Sequence, residues 1–274
     1  MNIIKELGSS RLYNLHSHTE FCDGRAQMEA FAREVIRQGF SHYGFSPHST
    51  IPIESPCNIT SAHVADYDSE FHRISETYGD RCRFFRSMEI DYLGQQWGPA
   101  NEYFARLNLD YAIGSVHFIP DQSGRYVDID GKFESFKMKM EHFFNNDIRY
   151  VVEKFYEQSI NMVSEGGFDI LGHLDKIAHN ASLFHPGIED EHWYAALVDN
   201  LISKVIESGV IVEINTKIAE TAGRYFPDPR YWGRLVAAGV PLVVNSDAHV
   251  PALINAGRCQ ALDKLDKIQS NLSL

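Results

Sequence analysis

A chain of 274 residues, 44% hydrophobic and 23% charged, is long enough to bury a large core and has the make-up of a folded enzyme, which excludes a disordered or low-complexity protein. Its 25 basic and 37 acidic residues give a formal net charge of −12, which excludes a generally basic surface for tracking nucleic acid. The opening MNIIKELGSS lacks the apolar segment of a secretory signal, and no apolar run is long enough to span a bilayer, so a cytoplasmic protein with no membrane contact is expected.

In chain order, short apolar runs alternate with longer helical stretches, the pattern of a mostly parallel α/β architecture. Strands are predicted at Leu12–Leu15, His42–Phe45, Arg83–Met88, Tyr111–Val116, Asp169–Leu171, Val210–Ile214 and Leu242–Val244, and helices at Gln27–Gln38, Ser61–Tyr78, Ile148–Ser164, Glu191–Ser208 and Pro229–Ala238. Gly39, Gly209 and Gly239 follow three of these helices, where a left-handed residue ends the last turn. With no repeat and no Pro/Gly/Ser-rich linker, residues 1–274 read as one domain of about seven βα units. Asp121–Asp147 reads as part of an insertion over about 118–147, and Ile51–Thr60, with Pro52 and Pro56, as a second segment able to cover a site. Cys22, Cys57, Cys82 and Cys259 form no CxxC pair and are expected as free thiols.

Parallel sheets and barrels place working residues just beyond the carboxyl ends of their strands. Strand one runs into His16-Ser17-His18 and then Asp23. Strand two runs into Ser46-Pro47-His48, strand three ends at Glu89, strand four at His117, strand five at His173, and the last strand enters Asn245-Ser246-Asp247-Ala248-His249. A single His-x-His pair or a single strand-end histidine is weak. Six of the 13 histidines and three carboxylates at the same end of six strands are a different matter, because burying so many titratable groups without cations is costly. Neutral imidazole and carboxylate form the ligand set of zinc, manganese or iron, and nine such groups exceed the four of one tetrahedral zinc site, so two or three divalent ions are expected. Closely spaced ions suit phosphoryl transfer.

The segments LHSHTEFCDG, GFSPHS, MEIDYL, GSVHFI, ILGHLDK, VEINT and VNSDAH resemble, in order, the motifs of the polymerase-and-histidinol-phosphatase superfamily, from about Tyr13 to His249. Within it, the chain resembles the monofunctional histidinol-phosphate phosphatases. The resemblance implies a distorted seven-stranded (β/α) barrel. It also implies three metals: one held by His16, His18, Glu89 and Asp247, a second by Glu89, His117 and His173, and a third by Asp23, His48 and His249. Cys22 and Pro47 depart from the usual motif residues, and the segment TKIAETAGRYFPDPR after Asn215 is longer than the family leads one to expect.

The reaction expected is direct hydrolysis of L-histidinol phosphate to L-histidinol and phosphate by a metal-bridging hydroxide, with Asp247 or His249 handing a proton to the leaving alkoxide. A basic side chain should meet the phosphate: Arg224 and Lys176 are the first candidates, then Lys217 and Arg230. Asp128, Asp130 and Glu134 are candidates for the substrate's positive charge. His42 reads as structural, His63, His72, His142, His179, His185 and His192 as surface residues, and Trp97, Trp193 and Trp232 as packing residues. The alternatives are a phosphoesterase of the same superfamily acting on nucleotides, oligonucleotide ends or another small ester, and a non-catalytic metal-binding protein. A small phosphate ester is the expected partner, long nucleic acid is not, and oligomeric state is left open.

Overall fold

The β-branched and aromatic runs picked out above become the staves of one sheet. The computed structural model describes residues 2–272. Its strands are β1 (Tyr13–Asn14), β2 (His42–Phe45), β3 (Arg83–Asp91), β4 (Tyr111–Ser115), β5 (Phe118–Pro120), β6 (Tyr126–Asp128), β7 (Ile170–Leu171), β8 (Ile211–Asn215) and β9 (Leu242–Asn245). Seven of them form an all-parallel sheet in the order β1-β2-β3-β4-β7-β8-β9, while β5 and β6 pair as a separate antiparallel hairpin. The sheet curls into a distorted (β/α)7 barrel.

The two edge strands meet through few backbone bonds. Ser17 and Ala248 form a single parallel bridge, and the His18 N–H donates to the Ala248 carbonyl at 2.9 Å. Side chains complete the seam: the Leu15 N–H donates to Asn245 Oδ1 at 2.8 Å, the Val244 N–H to the Tyr13 hydroxyl at 2.9 Å, and Asn14 Nδ2 to Ser246 Oγ at 2.8 Å.

Side-chain alternation along each strand then decides what faces the barrel axis. Tyr13, Leu15, Phe85, Tyr111, Ile113, Ile170 and Val243 pack together inside, and the short helix Ile3–Leu7 plugs the lower end with Ile3 and Leu7. Phe84, Met88 and Ile90 of β3 face the other way, against helices Met28–Arg37 and Val64–Tyr78, while Val212 of β8 packs toward Ile148–Glu165 and His192–Ser208. Two residues beyond Phe85 along β3 comes Ser87, then Glu89, then Asp91, all buried. Glu213 shares the inward face of β8 with Ile211 and Asn215. The barrel is therefore apolar at its lower end and carboxylate-rich at its upper one.

Every predicted strand is present within one or two residues, except that β3 runs on to Asp91, so Glu89 lies within the strand rather than after it. Gly39, Gly209 and Gly239 all adopt positive φ after their helices. The segment after His117 holds the β5–β6 hairpin and a helix, Phe133–Phe143, which the sequence reading did not separate; helices Ile177–Phe184 and Arg258–Leu272 were likewise unread.

Gly44 in β2 is required by close approach. A Cβ there would sit 1.8 Å from the Tyr111 hydroxyl, which donates to the Leu15 carbonyl inside the barrel. Gly44→Ala must displace that ring, and overpacking of this kind costs about 1–3 kcal/mol. The expected result is a lowered denaturation midpoint with an unchanged m-value; a midpoint equal to that of the parent would refute this account of the packing.

Candidate metal centre

At the upper end of the barrel the nine residues singled out from strand ends meet. His16, His18, Glu89, His117, His173 and Asp247 are at most 4% exposed. Glu89 lies at the middle and its two oxygens face different partners. Oε2 is 3.2 Å from His16 Nε2, 3.4 Å from His18 Nε2 and 3.0 Å from His48 Nδ1. Oε1 is 2.8 Å from His173 Nε2 and 3.4 Å from His117 Nε2, and it accepts from the Ser115 hydroxyl at 2.7 Å. Asp247 Oδ1 is 3.1 Å from His18 Nε2 and 3.8 Å from His16 Nε2. Asp23 Oδ1 is 3.2 Å from His249 Nε2 and 3.8 Å from His48 Nε2.

Three groups have ligand atoms within 4.8 Å of one another: His18, Asp23, His48 and His249; His16, His18 and Asp247; and His48, Glu89 and His117. His18 and His48 each belong to two groups, so these eight residues form one continuous cluster rather than three separate sites, and His173 joins it through Glu89 Oε1 at 2.8 Å.

Partners behind the cluster fix which nitrogen faces inward. His16 Nδ1–H donates to Glu213 at 2.7 Å, His117 Nδ1–H to Asp91 at 2.6 Å, and His249 Nδ1–H to the Asp247 carbonyl at 3.0 Å. Each bond leaves the Nε2 lone pair pointing at its neighbours, the arrangement that orients a metal-binding imidazole. Glu213 does more. It also accepts from the His173 backbone N–H at 3.0 Å and from the Asn215 and Asn245 amides, each at 3.0 Å. His173 and Asp247 both have positive φ, an arrangement uncommon for residues other than glycine that tends to persist where surrounding bonds enforce it.

The electrostatics state what this cluster lacks. Burial holds His18 well below the usual imidazole range and lowers His48. Burial also pushes His173 down to about 4. Burial opposes charge on His16 and His117 too, yet Glu213 and Glu89 raise His16 well above its ordinary value, and Glu89 and Asp91 raise His117 to about 9. Five carboxylates (Asp23, Glu89, Asp91, Glu213 and Asp247) thus press on a few imidazoles for compensating charge. Buried His16 Nε2, His18 Nε2 and Asp23 Oδ1 have no hydrogen-bond partner, although such atoms are nearly always satisfied in folded proteins. Inward lone pairs, surplus negative charge and a purely N/O donor set fit divalent cations.

A cavity of about 560 Å³ opens onto the cluster through Asp23, His48, His117 and His249. Its walls mix charge with aromatic rings: Arg25, Lys132, Lys176 and Lys217 against Asp91, Asp128 and Asp130, with Phe118, Phe133 and Phe226 between them. Lys217 Nζ lies 3.2 Å from Asp247 Oδ1 and 3.3 Å from His249 Nε2, and Lys176 Nζ lies 2.6 Å from Asp130. Arg224 is placed elsewhere: its guanidinium pairs with Glu189, which also accepts from Ser182, and it is not among the lining residues. Arg230 pairs with Asp228 outside the cavity, and Glu134 does not line it. His179, read from the sequence as a surface residue, lines the wall, because helix Ile177–Phe184 starts directly behind His173.

Glu213, Asp91 and Ser115 escaped the sequence reading as site residues. Alternation was the available signal: Asp91 follows Glu89 by two along β3, and Glu213 is an acid between Val212 and Ile214 in β8.

Several known proteins are similar to this chain. The chain is 24% identical to the "Probable histidinol-phosphatase" of Schizosaccharomyces pombe over 270 residues, covering 92% of this chain and 85% of the relative. It is 22% identical over 252 residues to the protein of the same name from Deinococcus radiodurans, covering 88% and 87%. Among solved structures, the hisK protein of Listeria monocytogenes superposes with a TM-score of 0.76 at 18% identity, covering 90% of this chain and 99% of that one. The histidinol phosphate phosphatase of Lactococcus lactis, complexed with zinc, L-histidinol and phosphate, superposes with a TM-score of 0.66 at 16% identity, covering 96% and 94%. These likenesses establish the shared barrel. The model of the PHP domain matches residues 14–217, which is most of the sequence and contains seven of the nine clustered residues, and on that match the chain belongs to the PHP domain family.

Proposed function

We propose that this protein is a metal-dependent phosphomonoesterase that hydrolyses L-histidinol phosphate to L-histidinol and phosphate. One observation carries the reading: buried Glu89 presents its two oxygens to two different sets of imidazoles, among them His48 and His117, which line a cavity whose walls carry both signs of charge. The names of the two curated relatives and the ligands of the Lactococcus lactis structure support the choice of substrate.

His16, His18, Glu89 and Asp247, then Glu89, His117 and His173, then Asp23, His48 and His249, would hold two or three ions, with zinc, manganese or iron all suited to such donors. When bound, these ions neutralise phosphoryl oxygens and make a coordinated water acidic enough to serve as the nucleophile. The protein's own groups do the rest. Lys217, one-third exposed beside Asp247 and His249, brings a cation to the phosphate as it arrives. Lys176 reaches the same space from the Asp130 side. Asp247 would pass a proton to the leaving alkoxide, or partly exposed His249 where its Nε2 is not engaged by an ion, since its Nδ1–H is already given to the Asp247 carbonyl. Asp128 and Asp130 face the substrate's ammonium and imidazole, and Phe118, Phe133 and Phe226 flank its ring.

Phosphate release from histidinol phosphate, p-nitrophenyl phosphate and a nucleoside monophosphate tests the assignment. A marked preference for histidinol phosphate is expected. Equal efficiency on all three would leave only a general phosphatase, and preference for the nucleotide would favour the other reading.

Two variants separate phosphate recognition from amine recognition. Lys217→Met should lower kcat/KM about 10–100-fold on every ester, the worth of one charge-assisted contact of about 1.5–3 kcal/mol. Asp130→Asn should lower it for histidinol phosphate and leave p-nitrophenyl phosphate within about threefold, the difference being the substrate's lost charge partner. A uniform loss across substrates in Asp130→Asn would remove Asp130 from amine recognition.

A further inference from the structure

The loop between β2 and the helix Val64–Tyr78 does more than roof the cavity. Its first residues are bonded to β3, with the Ser49 N–H donating to the Glu89 carbonyl at 2.8 Å, and its far end returns where the Ile59 N–H donates to the His48 carbonyl at 3.0 Å. Asn58 sits at that return, half-buried and lining the cavity. Its amide is fully committed. Nδ2 donates to Asp91 Oδ2 at 2.6 Å and to the Ser49 carbonyl at 2.8 Å, and Oδ1 accepts from the Ser55 hydroxyl at 2.6 Å. The orientation is unambiguous, since a flipped amide would set its oxygen against the Asp91 carboxylate.

Asp91 is 1% exposed, and its other oxygen, Oδ1, accepts from His117 Nδ1–H at 2.6 Å. The carboxylate is thus held on one side by a cavity loop and on the other holds a clustered imidazole. Its backbone N–H donates to Ser49 Oγ at 3.3 Å, so the same loop restrains the residue twice.

We propose that Asn58 is a positioning residue that sets the orientation of His117 through Asp91, making the loop from Ser49 to Ile59 part of the support of the metal cluster. The inference rests on the reading of His117 as a metal ligand. Removing Asn58 frees Asp91 Oδ2 from one of its donors, so the carboxylate can rotate and His117 loses its fixed aim. Groups that orient a ligand in this way are typically worth 10–100-fold in metal affinity, and Asn58 stands one bond further out.

The test is metal release from the loaded protein into an excess of chromogenic chelator, measured without substrate. Asn58→Ala should release at least one ion per chain about 3–10-fold faster than the parent. Asn58→Asp, which replaces the donor with a second carboxylate against Asp91, should release it faster still. Asp91→Asn should also speed release, and in that background Asn58→Ala should add less than twofold, because the path through Asp91 is already broken. Full additivity in the double variant, or release from Asn58→Ala at the parental rate, would overturn the proposal. A changed KM with parental release would make Asn58 a substrate contact instead, which also overturns it. Because metal release itself is measured without histidinol phosphate, failure of the substrate assignment and failure of this inference are read out separately.

Discussion

Glu89→Gln is expected to lower kcat/KM for histidinol phosphate by at least about 10³-fold, close to 4 kcal/mol at 1.36 kcal/mol per decade, while leaving the fold intact. The substitution keeps the volume and the hydrogen bond from Ser115 but removes the charge that two sets of imidazoles share. No neighbour can replace it. Asp91 and Glu213 are both committed to imidazole nitrogens on the far side of the cluster, and Asp247 already faces His16, His18, His249 and Lys217. Circular dichroism should stay near that of the parent, because Glu89 belongs to the carboxylate-rich end of the barrel and not to its apolar one, and the unfolding midpoint should fall only by what the lost ion contributed. Metal analysis on the same sample should show fewer ions per chain. A Glu89→Gln protein with full metal content and turnover within tenfold of the parent would end the reading of Glu89 as the shared ligand.

Stripping metal from the protein should be the second large effect. With ions present at about 1,000 times their dissociation constant, one site alone stabilises the folded chain by about 4 kcal/mol. For a chain of this size that corresponds to a fall of roughly 10 °C in Tm once the ions are gone. The sign follows from the charges: buried carboxylates left without counter-ions repel one another and are poorly solvated. Dialysis against a chelator should therefore lower Tm and abolish phosphate release, and adding back zinc or manganese should restore both. Fewer than two ions per chain in the untreated protein, together with no phosphate release, would support the non-catalytic alternative.

How far the sequence reveals this site depends on the kind of signal each residue leaves. His16, His18, Asp247 and His249 are legible because a polar pair at spacing two, directly after an apolar strand, stands out from its surroundings. Glu213 leaves a weaker mark. It is one acid among Val212 and Ile214, and only the inward register of β8 shows that it faces His16 and His173. Helix Arg258–Leu272 could have been read, since Ala261, Leu262, Leu265 and Ile268 keep helical spacing against the barrel. Asn58 could not. Its meaning lies wholly in the loop's return onto Asp91, and nothing local marks an Asn in a Pro-rich loop as different from a turn residue. Arg224 shows the converse: a basic residue in a suggestive position along the chain is paired with Glu189 and is not among the residues lining the cavity.

The thin seam between β1 and β9 has a mechanical consequence. His18 follows the first stave and Asp247 the last, and their facing atoms lie 3.1 Å apart. A cation gripped between them is also a clasp on the ring, joining parts of the polypeptide that the backbone itself links by a single bridge. The loaded barrel would in that sense be a hoop fastened by its own reagent, since ions held there for chemistry would also keep the first and last staves from parting.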